Sequence, residues 1–127
     1  MDGYWSAGAA GHVEAGESVL QAAVREAREE LGVIIHEEDL RPLTVMHRTV
    51  GNGKPTDERA DFFFAAHRWQ GEPQIQEPEK AAALQWADPM ALPEPVVPHE
   101  EFVLHHWARH TLETVTTYGF SQASQLM

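Results

Sequence analysis

No cysteine occurs in the chain, which excludes disulfides, thiolate metal sites and thiol nucleophiles. Positive charge is also scarce: 9 Lys and Arg face 20 Asp and Glu, for a formal net charge of −11. Long nucleic acids and anionic membranes reward basic patches, so both are disfavoured as partners. A small phosphorylated substrate is not, because a bound cation inverts the local field where an anion docks. No run of 18 apolar residues exists, so no membrane span is expected. The first residues lack a basic segment followed by an apolar one, so no secretion signal is read and a cytoplasmic location is the expectation.

What is present suits a folded domain. Hydrophobic residues make up 43% of the 127 positions, four of them Trp, and one domain over residues 1–127 is expected. Tyr4-Trp5 reads as the start of a short strand. Ser18 with Gln21 forms a capping box, and Leu20, Val24, Ala27 and Leu31 make one apolar stripe, so a helix runs from about Ser18 to a stop at Gly32. Val33-Ile34-Ile35 reads as a buried strand. Segments 40–50 and 59–69 read as an antiparallel hairpin around the turn Gly51-Asn52-Gly53-Lys54-Pro55. A Pro- and Glu-rich loop follows at Gly71–Lys80, then a short strand at Leu84-Gln85-Trp86 and a helical turn at Asp88–Leu92. Beyond the prolines at 93, 95 and 98, helical periodicity predicts a terminal helix from His99 to about Tyr118, ended by Gly119, with residues 121–127 frayed.

The residues from Gly11 to Val33, GHVEAGESVLQAAVREAREELGV, concentrate five acidic residues and two arginines. Glu26, Glu29 and Glu30 stand at i, i+3 and i+4, on one side of the helix. Like-charge pairs at that spacing destabilise a helix by about 0.2–0.5 kcal/mol each. A divalent cation removes the penalty, and hard oxygen donors suit Mg²⁺ or Mn²⁺.

This stretch resembles the Nudix box of the Nudix hydrolases, whose MutT-like members are one branch. Gly11, Glu17, Arg25, Glu26, Ala27, Glu29, Glu30, Gly32 and Val33 fill the pattern, with Ala27 the softest match. The resemblance implies an α+β fold, an α/β/α sandwich with a mixed sheet between the box helix and a C-terminal helix. It implies Mg²⁺- or Mn²⁺-dependent hydrolysis of a nucleoside diphosphate linked to another group. Residue by residue, Glu26, Glu29 and Glu30 would be metal ligands, with Glu29 or Glu30 central to catalysis. Arg25 would orient the glutamates by charge-assisted hydrogen bonds. Glu17 and Gly32 would be structural. The Gly11 loop would support metal or phosphates, and His12, Arg48 and Arg59 could touch phosphate. MutT-like relatives place a further glutamate shortly after a Trp-x-Gly-Glu-Pro segment. Here that segment is Trp69-Gln70-Gly71-Glu72-Pro73, which nominates Glu77 as distal ligand or general base, with Glu79 in reserve.

Family members carry one or more strands before the box, whereas ten residues precede Gly11 here. The expectations are a sheet without its usual first strands, a start inside a longer protein, or an edge covered by a partner in a homodimer. Two other functions bear on the same residues. A non-catalytic nucleotide-binding module would keep the fold and lose turnover. The isopentenyl diphosphate isomerases have a similar Trp-Ser-Ala-Gly-Ala-Ala-Gly-His entry, but their chemistry relies on a cysteine. His106 and His110 stand at i, i+4 without a third ligand, so they read as surface or partly buried histidines.

Overall fold

A computed structural model describes residues 3–120; the expected fraying of 121–127 lies outside the described residues. The order of elements is helix α1 (Val19–Leu31), strand β1 (Leu40–Arg48), strand β2 (Arg59–Ala66), helix α2 (Pro98–Ala108) and strand β3 (Val115–Tyr118). Two short 3₁₀ turns, Glu37–Asp39 and Pro55–Asp57, lead into β1 and β2. The result is an α+β fold with a mixed sheet of order β2–β1–β3. None of the described helices is long and apolar enough to cross a membrane.

Helix α1 has the boundaries its sequence encodes. Ser18 Oγ accepts from the Gln21 amide at 3.0 Å, and the Gln21 side chain accepts from the Ser18 amide at 2.8 Å. At the other end Gly32 turns left-handed, with φ 71°, and donates to the Arg28 carbonyl. The β1–β2 pair is antiparallel, with its register shifted between Pro42 and Thr44. Proline has no amide hydrogen for a ladder bond, so an irregularity falls where the chain places one.

The last third of the chain departs from the sequence reading. The terminal helix ends at Ala108, and His110 takes a positive φ of 59°. Val115–Tyr118 then pairs in parallel with β1, from Val45↔Val115 to Arg48↔Tyr118. The stretch TVTTY is rich in β-branched residues, which lose side-chain freedom in a helix and fit a pleated surface. Thr44 and Thr116 are buried together, their hydroxyls 3.1 Å apart, and Thr44 also donates to the Thr114 carbonyl at 3.2 Å. His106 and His110 therefore do not share a helix face, and His106 Nδ1 instead meets the Thr111 hydroxyl at 2.7 Å.

Three expected strands also change, while the single turn expected at Asp88–Leu92 is present. Leu84-Gln85-Trp86 forms no ladder, and Asp88–Leu92 holds a single turn in which the Ala91 amide donates to the Asp88 carbonyl. Val33–Ile35 makes only an isolated bridge, Ile34 with Gln70, though Val33 itself is buried. Tyr4-Trp5 likewise gives one bridge, Trp5 with Val96. Among the described residues the buried apolar ones are few: Ala22, Ala27, Val33, Met46, Val96 and Val103. Between α1 and the aromatic residues of β2 lies a broad cleft of roughly 1430 Å³ rather than packed side chains.

Candidate active site

The organising side chain is Arg25. Its guanidinium clasps Glu17 with two bonds, Nε to Oε2 at 2.7 Å and Nη2 to Oε1 at 3.1 Å. Nη1 donates to Glu26 at 2.7 Å and to Glu29 at 3.1 Å, and Nη2 donates to the His12 carbonyl at 2.9 Å. One planar fork thus fixes the loop before the helix and two carboxylates on it. The Glu17 bond holds the Arg25 pKa well above its ordinary value, and the same bond holds Glu17 below the usual carboxylate range. Gly11 lies directly against the Glu26 carboxylate, leaving no room for a Cβ.

Glu30 faces the other way. Its Oε2 accepts from the Ala10 amide at 2.7 Å. Burial pushes its pKa up, and the charges of Glu26 and Glu77 push in the same direction, against the Ala10 bond and Lys80. Glu77 is brought here by the main chain. A helix leaves its last carbonyls without intrahelical partners. In α1, the Glu30 carbonyl accepts from the Gln76 amide at 3.1 Å and the Leu31 carbonyl from the Gln74 amide at 2.9 Å. The Pro- and Glu-rich loop is therefore sewn across the end of the helix that carries the glutamates. Glu77 then pairs with Lys80, Nζ to Oε2 at 3.0 Å, which raises the Lys80 pKa.

Gly11, His12, Arg25, Glu26, Glu29, Glu30, Arg48, Arg59 and Glu77 all line the one cleft. Glu17 and Gly32 lie outside it, Glu17 behind Arg25 and Gly32 against the Gln76 side chain. Glu79 is not among the lining residues. Arg48 is held by Asp61 at 2.7 Å, whereas Arg59 is exposed and in no ion pair among the described residues. Sequence reasoning passed over Lys80; its signal was a cation three residues after Glu77 in a tight turn. It also passed over His99, whose pKa is lowered by burial and by the Arg48 charge at the far side of the cleft.

Among the described residues no three acidic or imidazole side chains converge on one point. Arg25 draws Glu26 and Glu29 to itself, and Ala10 draws Glu30 aside. The donor set is nonetheless all hard oxygen, and Glu30, lifted chiefly by burial and further by the charges of Glu26 and Glu77, is a group whose charged form a divalent cation favours.

A family model, the NUDIX domain, matches residues 1–108. The chain belongs to the Nudix family. This Nudix chain is also similar to a solved MutT NUDIX hydrolase from Burkholderia pseudomallei. The two share 31% identity with a TM-score of 0.70, over 81% of this chain and 76% of that one. No curated protein matches the sequence. The chain is thus a hydrolase of pyrophosphate bonds in a family that acts on small phosphorylated substrates and generally uses divalent metal ions.

Proposed function

We propose that this Nudix hydrolase is a Mg²⁺-dependent pyrophosphohydrolase, with Mn²⁺ as a competent replacement, acting on a nucleoside triphosphate or a related nucleoside diphosphate derivative. The observation that carries the reading is that Glu77, on a loop whose amides bond the end of α1, lines the same cleft as Glu26, Glu29 and Glu30. Glu26, Glu29 and Glu30 would hold the metal. Bound there, the cation would neutralise phosphate oxygens and acidify a water. Glu77 takes the proton as water oxygen bonds to phosphorus, and the bridging P–O bond breaks to release the phosphorylated leaving group. Arg25 acts through the carboxylates it holds, and Gly11 leaves Glu26 its space. His12, Arg48 and Arg59, which line the cleft, are the candidate phosphate contacts.

The test is a panel of nucleotides and nucleotide sugars assayed with Mg²⁺ for wild type and Glu30→Gln. Turnover lost in Glu30→Gln supports the reading; no turnover of any compound, or an unchanged rate in Glu30→Gln, sinks it. One observation favours a second reading, a non-catalytic nucleotide-binding module: the described carboxylates do not converge. That module predicts stabilisation by nucleotide with no turnover. We further propose one domain over residues 1–127, a cytoplasmic setting, no long nucleic acid or membrane partner on account of the −11 charge, and a homodimer, measurable by sedimentation.

A further inference from the structure

Trp86 is the most exposed of the large hydrophobic residues described, at 75%. It is not a loose side chain. Its ring stacks on Trp69, with centroids 5.9 Å apart and planes only 19° from parallel. Every other aromatic pair among the described residues is tilted or edge-on, at 49° to 79°. Trp69 is anchored by its neighbour, since Gln70 exchanges two backbone hydrogen bonds with Ile34, at 2.9 and 3.0 Å. A fixed indole therefore backs a second one, and the second presents a broad apolar face to solvent.

Location gives that face a use. Trp69 and Trp86 line the same cleft as Glu26, Glu29, Glu30 and Glu77. Lys80 lines it too and carries the positive charge a phosphate chain needs beside so many carboxylates. A ligand suited to both ends has a phosphate chain and a flat aromatic group. Stacking is insensitive to base-edge chemistry and scales with ring area, so it favours purines over pyrimidines without demanding one base.

We propose that Trp86, backed by Trp69, is the stacking platform for the base of a purine nucleoside polyphosphate whose phosphates lie toward Lys80 and the carboxylates. The proposal rests on the hydrolase reading and narrows its substrate class. Tripolyphosphate, which has no base, is the discriminating probe. Steady-state kinetics with Mg²⁺ would compare wild type, Trp86→Ala and Trp86→Phe on ATP, CTP and tripolyphosphate. Trp86→Ala should raise KM for ATP about tenfold, and for CTP less, while shifting KM for tripolyphosphate less than twofold. Trp86→Phe should restore most of the ATP affinity and shows that the position tolerates substitution. An unchanged KM for ATP in Trp86→Ala overturns the platform, as does an equal loss on tripolyphosphate. So does a wild-type dimer in sedimentation that Trp86→Ala dissociates. Should no compound be hydrolysed, the hydrolase reading fails by itself. Calorimetric titration of the same variants with the α,β-methylene analogue of ATP then still decides the platform, by a tenfold weaker Kd in Trp86→Ala or none.

Discussion

Gly32 joins the stability of helix α1 to the position of the distal glutamate, and replacing it with alanine separates the two effects. Its φ of 71° is left-handed, which costs a residue with a Cβ roughly 1–2 kcal/mol. Alanine has fewer unfolded conformations to lose than glycine, which returns about 0.4–1 kcal/mol. The net destabilisation is then about 1 kcal/mol, a drop in Tm of roughly 3–6 °C for a chain of this size. The new methyl would also stand 2.7 Å from the Gln76 side-chain nitrogen and 2.9 Å from its amide carbon. That side chain is flexible at its end, so it swings away at small cost in stability. Gln76 is nevertheless the residue whose amide caps the Glu30 carbonyl, next to Glu77. A displacement there of even 1 Å can lower a rate by about a hundredfold. Thermal unfolding followed by circular dichroism measures the first effect, and kcat with Mg²⁺ the second. Gly32→Asn tolerates the left-handed backbone better and should keep more of the Tm while losing the same activity. In a double-mutant cycle, Gln76→Ala should relieve the activity loss of Gly32→Ala and leave its Tm loss in place. A Gly32→Ala variant with wild-type Tm and wild-type kcat would refute both halves of the reasoning.

Other outcomes follow from the same geometry. The folded pKa of Glu30 is raised above its ordinary value of 4.5, so the native state binds more protons than the unfolded one and stability falls as pH climbs through that range. Metal-free Glu30→Gln should match wild type in Tm near pH 3.5 and exceed it at pH 8, as read by scanning calorimetry. Arg25→Lys should lower kcat at least tenfold, because an ammonium cannot span Glu17, Glu26 and Glu29 as the fork does, and titrating Glu17 by NMR should show its pKa return toward normal. Thr44→Val strands the buried Thr116 hydroxyl and should cost about 1–3 kcal/mol in urea unfolding. A neutral result there would argue against the parallel strand β3.

Legibility in the sequence differs sharply from one element to the next. Helix α1 is fully readable because Ser18, Gln21, the apolar stripe and Gly32 are independent local signals that agree. The hairpin is readable from its turn and its aromatic strand, though β1 and β2 each end a few residues earlier than the pattern suggests. Strand β3 is hidden, because its hydrogen bonds come from β1 some 70 residues away, as in the Thr44–Thr114 contact, while its own residues happen to repeat at helical spacing. In the site, spacing alone places Glu26, Glu29 and Glu30 on one side of the helix, whereas the part played by Arg25 and Glu17 is legible only through the box pattern they fill. Glu77 is nominated by the segment Trp69–Pro73, but the way its loop is fixed to the end of α1 is not legible, since it is carried by the amides of Gln74 and Gln76, and a main-chain bond has no side-chain signature. The Trp69–Trp86 stack is hidden for a related reason: the stretch around Trp86 reads as a strand, and only the absence of a ladder frees its ring.

The sheet order has a consequence for how the protein is made. Strand β1 is central, yet its two neighbours arrive at very different times. Strand β2 follows within a short loop, whereas β3 is translated after the whole Pro-rich segment and α2. At about 5–20 residues per second, the 70 residues separating Thr44 from Thr114 take the ribosome roughly 4–14 s. Throughout that interval one side of β1 offers unpaired amides and carbonyls to any passing strand. A nascent chain stalled before Val115 is therefore the species most exposed to aggregation and to chaperone capture, and synonymous codons that speed passage through residues 67–114 should raise the soluble yield.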